Sequence, residues 1–394
     1  MMIKGGTQMK MTRSCIAAAG VLISLGANAA AQDFVIGASG AITGPTASTY
    51  APTVEALRVY FDRVNRMGGI NGRKVRFIAL DDQGEPSRGA ANARRLVAQE
   101  NVNLLVGAGP SATNAPLMTE SERSGTPLVF AGSVCPQESY PPAKETVFCT
   151  TSFGVSYDNR AMINFIAKQY GTNFKIAFAA MAIPVSRAGI DIGEARAKEL
   201  GMTSVGQQVI PPATPDFTPF ATKLLEGNPD WGFSWAPWIV QIKSFEAMRR
   251  LGWKGRFMTW AHIEAENEMQ RLKDPGLVLI GANALFSENL PIHQEIAKEL
   301  ETAKVQYPVN QMGEGWVAGM VIEAALKAAG KPDTKAINEA MKNLKVDTKG
   351  LRGGPLEWTP TNHFRTQQHY RFYDWNNDKG QMMPISGWVT YDIK

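Results

Sequence analysis

The chain has 394 residues and carries 41 Lys and Arg against 36 Asp and Glu, a formal charge of +5. Three of those cations, Lys4, Lys10 and Arg13, stand at the N-terminus, so the rest of the chain is close to neutral. With no basic stripe or charge block, nucleic acid and anionic membrane surfaces are excluded as main partners.

The N-terminal segment reads as an export signal rather than as part of a fold. Its basic residues precede a short apolar run at 16–25, and Ala27, Asn28, Ala29, Ala30 and Ala31 supply small residues at cleavage spacing. That run is too short to span a bilayer. Residues 1–31 are therefore expected to be a signal peptide cleaved near Ala31, leaving a periplasmic protein. Cys15 lies ahead of the apolar run, whereas a lipid-bearing cysteine would follow it, so a soluble product is expected. The roughly 360 residues that remain exceed the ~250–300 residue limit of a single core, which predicts two domains.

From Phe34 to Ser133 the pattern is strand, Thr-Gly-Pro turn, long helix, Gly-Gly-Ile-Asn-Gly-Arg turn, strand, acidic turn, helix, strand, Gly-Pro-Ser-Ala-Thr loop, helix and strand. Strands fed by right-handed crossover helices form one parallel sheet covered on both faces. Such sheets bind small molecules beyond the carboxyl ends of their strands. The loops expected there, 39–45, 108–113 and 131–134, are small, hydroxylated and poor in charge, which suits holding a ligand rather than acid–base chemistry. Asp81 and Asp82 fall on a turn and read as solvated surface.

Cys135 and Cys149 are the even pair left after signal removal. In an oxidising compartment they are expected to form a disulfide across a short loop; two free buried thiols are the alternative. A second βα series follows: helix to 170, strand 175–180, helix 187–200, strand 204–210, helix 217–226, strand 231–235, helix 240–251, strand 257–260 and a short strand 276–281. This predicts a second doubly wound lobe. Helices are expected at 292–306, 313–329 and 334–344, and strands at 368–375 and 386–391.

Three segments, IGASGAITGPTASTY at 36–50, GGINGRKVRFIALDDQG at 68–84 and LLVGAGPSAT at 104–113, resemble the substrate-binding proteins of ABC importers. The chain is most similar to the branched-chain amino-acid (Leu/Ile/Val-binding-like) type. This resemblance implies an α/β fold of two doubly wound Rossmann-like lobes joined by three crossover strands, the type I periplasmic binding protein fold. Lobe 1 would comprise 32–152 and 284–360, and lobe 2 would comprise 153–283 and 361–394. It further implies a ligand in the interlobe cleft, hinge closure around it, and an ABC importer permease as partner, with the protein a monomer.

Ser111, Ala112 and Thr113 are expected to open the helix running to Arg123, where unpaired backbone N–H groups attract anions. In the resembled family this serine and its successors hold the ligand carboxylate; capping alone is the plainer role for Ser111. Gly132, Ser133 and Val134 end the fourth strand at the same cleft. Val134 replaces a threonine that helps hold the ligand ammonium in the amino-acid binders. The acidic residue those binders carry after the strand 257–260 is replaced by Ala261 and His262, with Glu264 and Glu266 farther along. A ligand ammonium thus lacks acceptors, and an unpartnered buried cation is costly. Trp235, Trp238 and Trp260 at second-lobe strand ends, with Phe130 from the first lobe, suit an aromatic or apolar acid. Core packing is the alternative for each ring. Arg187 could pair with a carboxylate or be a solvated helix-start residue.

Gly107, Gly109 and Ala112 fit a dinucleotide-type GxGxxA, but no carboxylate follows about 20 residues later for a ribose. There is no nucleophile elbow or Walker loop, and His262, His293, His363 and His369 show no metal-ligand spacing. No cofactor and no metal are expected. The reading is an extracytoplasmic solute-binding protein for a small carboxylate, favoured to be an aromatic or apolar organic acid. A branched-chain amino acid is the alternative ligand, and a secreted α/β enzyme using a dinucleotide or hydrolytic chemistry is the alternative class.

Overall fold

The computed structural model describes residues 1–2, 5–6, 32–261 and 263–393. The expected apolar run and cleavage site of the signal peptide, and His262, lie outside the described residues. The unit from Gln32 onward carries the fold.

The first series is β1 (Phe34–Gly40), α1 (Ala47–Arg66), β2 (Val75–Asp81), α2 (Pro86–Ala98), β3 (Leu104–Ala108), α3 (Asn114–Ser124), β4 (Leu128–Phe130) and β5 (Val147–Cys149). Its strands pair in parallel in the order β2-β1-β3-β4-β5. β3 is apolar throughout, β1 is apolar but for Ser39, and both are almost wholly buried, as strands covered on both faces must be. The turn before β2 explains its sequence. Ile70 and Arg73 exchange both backbone hydrogen bonds (2.8 and 2.9 Å), and Asn71 and Gly72 take φ of 49° and 76°. This tight hairpin geometry favours Asn-Gly.

The second series is α4 (Val155–Tyr170), β6 (Lys175–Met181), α5 (Pro184–Glu199), β7 (Thr203–Ile210), α6 (Thr218–Leu225), β8 (Trp231–Ser234), α7 (Trp238–Arg250), β9 (Arg256–Trp260), α8 (Ala265–Leu272) and β10 (Leu277–Gly281). Then come α9 (Pro291–Thr302), α10 (Gly313–Ala329), α11 (Thr334–Met341), the small hairpin β11 (Lys345–Val346) and β12 (Leu356–Glu357), and β13 (Gln367–Asn376), β14 (Gln381–Pro384) and β15 (Val389–Asp392). The second sheet runs β14-β13-β10-β9-β8-β6-β7, with β15 also on β13. β6 to β10 are parallel, and β13 joins β10 antiparallel.

One apolar core joins β1, β3 and α1 to α9, α10 and α11; another joins α4, β6, β8, β9 and β10 to β13. The chain therefore leaves the first sheet, builds the second, returns to cover the first, and ends on the second. α10 lies close on α1: a Cβ on Gly315 would stand 2.3 Å from the Thr53 carbonyl oxygen.

Some elements differ from the sequence expectations. The helix expected to reach 306 stops at Thr302, and Lys304 turns left-handed with φ of 53°. The last strand starts at Val389 rather than 386, and β14 and β5, four and three residues long, escape a pattern reading.

Cys135 and Cys149 form a disulfide, with Cα atoms 5.6 Å apart, tying the loop after β4 to β5. The pair C135S/C149S should lose about 3 kcal/mol of stability in the chain-entropy picture. Urea melts check this, and unreduced peptide mapping should recover the two segments as one linked species; unchanged stability would count against it.

Candidate ligand-binding site

A cleft of about 990 Å³ is lined from both sides by residues that follow strand ends. The first series contributes Pro45 and Thr49 beyond β1, Pro110 and Ser111 beyond β3, and Gly132 and Val134 beyond β4. The second contributes Ile183 beyond β6, Trp235 beyond β8, and Trp260, Ala261 and Glu264 at and beyond β9.

Ser111 is exposed in the cleft, but it does not begin the α-helix. Ser111–Thr113 form a 3₁₀ turn, and α3 starts only at Asn114. The reason is local: the Thr113 N–H and hydroxyl both donate to the Pro110 carbonyl at 2.9 Å, tightening the turn. Thr113 is buried and its amide is spent, while Ala112 is exposed beside the cleft and does not line it. Ser133 is likewise buried, donating to Asn114 Oδ1 at 2.8 Å, while the Asn114 amide donates to the Val134 carbonyl. Gly132 and Val134 remain as lining.

The wall of the second lobe is aromatic. Trp235 Nε1 donates to Asp158 Oδ2 at 3.1 Å, and Ser186 Oγ donates to the Trp235 carbonyl at 2.8 Å. Trp260 is 1% exposed, stacks edge-on with Phe153 at 5.6 Å, and receives support from Gln241 Oε1, which accepts from the Trp260 amide at 2.8 Å. Its indole Nε1 is buried and makes no hydrogen bond. Trp238 also lines the cleft.

Two expected site residues stand elsewhere. Phe130 is fully buried in the first sheet, against Gly107, where a Cβ would lie 2.7 Å from its ring. Gly107 is thus glycine for packing. Arg187 is exposed on α5 and lies outside the cleft lining, because α5 begins at Pro184 and turns its face to solvent there. His262 falls outside the described residues.

Glu264 lines the cleft, where a ligand ammonium was expected to lack acceptors. It immediately precedes α8, and the turn after β9 brings it across to α1, where Thr49 Oγ1 donates to its Oε1 at 3.0 Å. Its Oε2 is buried without a partner. Burial pushes the Glu264 carboxyl above its usual range, and burial together with Glu264 pushes the Tyr50 phenol up. No sequence period reveals this, since Glu264 meets Thr49 only through the lobe contact. Glu266 is structural: it accepts from the Phe286 and Ser287 amides at 3.0 and 2.8 Å.

Asp82 is a second correction. It is fully buried rather than solvated, accepting from Ser39 Oγ and the Gly84 amide, both at 2.8 Å, and so fastening the acidic turn to β1. Among the described residues no cluster of His, Cys, Asp and Glu could hold a metal ion.

Asp158 anchors the aromatic wall. It accepts from Tyr370 Oη at 2.6 Å, the Gly154 amide at 2.9 Å and Trp235 Nε1, yet burial pushes its carboxyl up to about 7. A carboxyl whose folded pKa is raised favours the fold while protonated. Its contribution is full below about pH 4 and is lost as pH rises through about 7. Asp158→Asn should flatten that loss, a few kcal/mol in size, in urea melts taken across this range. An unaltered pH profile in the variant would contradict it.

The periplasmic binding protein family model matches residues 34–381. An amino acid binding protein of Pseudomonas aeruginosa is 33% identical over 108 residues, 27% of this chain and 29% of that protein. Leu/Ile/Val-binding protein homolog 1 of Brucella melitensis biotype 1 is 24% identical over 344 residues, 85% of this chain and 88% of that protein. The chain spans 53% of the length of another such homolog, number 3, from the same organism. A solute binding protein of an ABC transporter from Rhodopseudomonas palustris BisB5, in complex with 3,4-dihydroxybenzoic acid, superposes with TM-score 0.76 at 20% identity, covering 92% of this chain and 98% of that one. A branched-chain amino-acid ABC transporter protein from Thermus thermophilus with bound valine gives TM-score 0.77 at 18% identity, covering 91% and 97%. These structures share the two-lobed type I fold.

Proposed function

We propose, for a chain that belongs to the periplasmic binding protein family, that it captures a small carboxylate with an apolar, aromatic body in the interlobe cleft and delivers it to an ABC importer permease. The observation that carries this reading is the pairing of Ser111 on one wall with Trp235, Trp238 and Trp260 on the other. A hydroxyl beside the first amides of the β3–α3 turn offers donors to a carboxylate. Flat apolar walls take up the body of the ligand and exclude water.

Glu264 supports a second reading, an α-amino acid, because a ligand ammonium could meet its free Oε2. Two features weigh against that. Burial disfavours the charged form of Glu264, and Val134, which lines the same cleft, supplies no hydroxyl. In the neutral state Glu264 serves a ring hydroxyl better than a cation. The fold relatives include receptors for both ligand kinds, so the decision rests with this residue.

Calorimetry should therefore favour phenylpropanoate and 4-methylpentanoate over phenylalanine and leucine by tenfold or more, on the order of one charge-assisted hydrogen bond (~1.5–3 kcal/mol). Ser111→Ala should weaken the acids by a similar factor, and Glu264→Gln should leave them nearly unchanged. Tight leucine binding that Glu264→Gln abolishes, with no response to the acids, would establish the amino-acid reading instead.

Because the cleft is walled by two lobes connected through crossovers, ligand should draw them together. Small-angle scattering at saturating ligand should give a smaller radius of gyration than the free protein; equal radii with binding proven by calorimetry would remove the hinge from the mechanism.

A further inference from the structure

Behind the cleft, and sharing Glu314 and Ser152 with its lining, the crossovers between the lobes enclose a second polar feature. Arg352 and Arg365 are 5% and 4% exposed, and both line a small cavity with Gly354, Gln368 and His369. Arg352 Nη2 donates to the Thr150 carbonyl at 2.8 Å and to Glu314 Oε2 at 3.2 Å. Arg365 Nη1 donates to Gln368 Oε1 at 2.5 Å, and its Nη2 donates to the Thr151 carbonyl. The remaining donors, Arg352 Nε and Nη1 and Arg365 Nε, are buried with no hydrogen-bond partner, and so is His369 Nε2.

The charge around them does not balance. Among the described residues Glu314 is the carboxylate in contact with Arg352, and none contacts Arg365. Asp158, which feels Arg365, is pushed up to about 7 by burial and so carries only part of a negative charge at neutral pH. Burial, then repulsion from Arg352, lowers Arg365 to about 9, and burial lowers Arg352 as well. Two adjacent guanidinium groups sharing one carboxylate in a dry site carry a large electrostatic cost unless further negative charge is present. The cavity has about 10 Å³, room for a single water-sized particle. A polyatomic anion such as phosphate or sulfate needs more room than a monatomic one, and chloride is only modestly larger than a water.

We infer that this cavity is a site for a small monatomic anion, such as chloride, held by the free N–H groups of Arg352 and Arg365. Its position gives the anion a structural part. The same two arginines hold the carbonyls of Thr150 and Thr151 at the first crossover, so neutralising them stiffens the junction on which the lobes turn. This inference does not depend on the identity of the ligand in the main cleft.

Thermal unfolding in sodium chloride against sodium gluconate, at equal ionic strength, tests it. Chloride should raise the melting temperature by a few degrees in a saturable manner, as a ligand of the native state does. In Gly354→Ala the added Cβ would lie 2.3 Å from His369 Nε2 and crowd the cavity that both residues line, without changing any charge. That variant should lose the chloride response. Should it fail to fold, bromide-grown crystals of the unaltered protein give the answer: an anomalous peak beside Arg352 Nη1 supports the site. A water there with no anomalous signal, or an equal response to chloride in Gly354→Ala, overturns it.

Discussion

Where the chain leaves the first sheet at Cys149, its peptide groups lose their strand partners, and buried side chains must replace them. Arg352 takes the Thr150 carbonyl, Arg365 takes that of Thr151, and Gln368 donates to that of Ser152 at 2.6 Å. Glu314 on α10 accepts from the Ser152 amide at 3.1 Å and from Asn283 Nδ2 at 2.6 Å, beyond β10. One junction thus gathers the outgoing chain after β5, the return after β10 and the last passage before β13. Everything else, the two sheets and the cleft between them, is positioned by this exchange of ladder bonds for side-chain bonds.

The junction reaches the cleft through Asp158. Its three donors join the turn into α4, β13 and the Trp235 indole, so the aromatic wall is tied to the last strand that follows the junction, and Asp158 feels the charge of Arg365. A buried carboxyl in this role costs desolvation but sets the plane of a ring that packing alone would leave free to tilt. Gln241 does the corresponding service for Trp260.

Selectivity on such a scaffold comes down to a few positions. Val134 and Ala261 present apolar side chains to the cleft, and Glu264 presents a carboxyl from a neighbouring turn. The Thr49–Glu264 hydrogen bond crosses from one lobe to the other, so this cleft-lining carboxyl also meets the opposite wall. Backbone likeness to receptors of different ligands is expected when specificity resides in so few side chains.

The local pattern was sufficient for the parallel βα alternation, the Asn71-Gly72 turn, the Cys135–Cys149 pair and the loops that form the cleft, because each depends on neighbours close in the chain or on compartment chemistry. Ser111, Gly132, Val134, Trp235, Trp238 and Trp260 were legible as lining for the same reason: they follow strand ends. Phe130 and Arg187 were not separable from them, since one-residue differences in where a strand or helix begins decide which way a side chain faces. β5 and β14 are too short to show a period. Glu264 and the buried Asp82 stayed hidden because their partners, Thr49 and Ser39, are distant in sequence, and the pairing of Arg352, Arg365 and Glu314 joins segments that only the crossovers bring together. Sequence alone determined most of the strands and helices and which loops line the cleft; tertiary structure decided which charges are buried and against what, because burial is a property of the packed chain and not of any window along it.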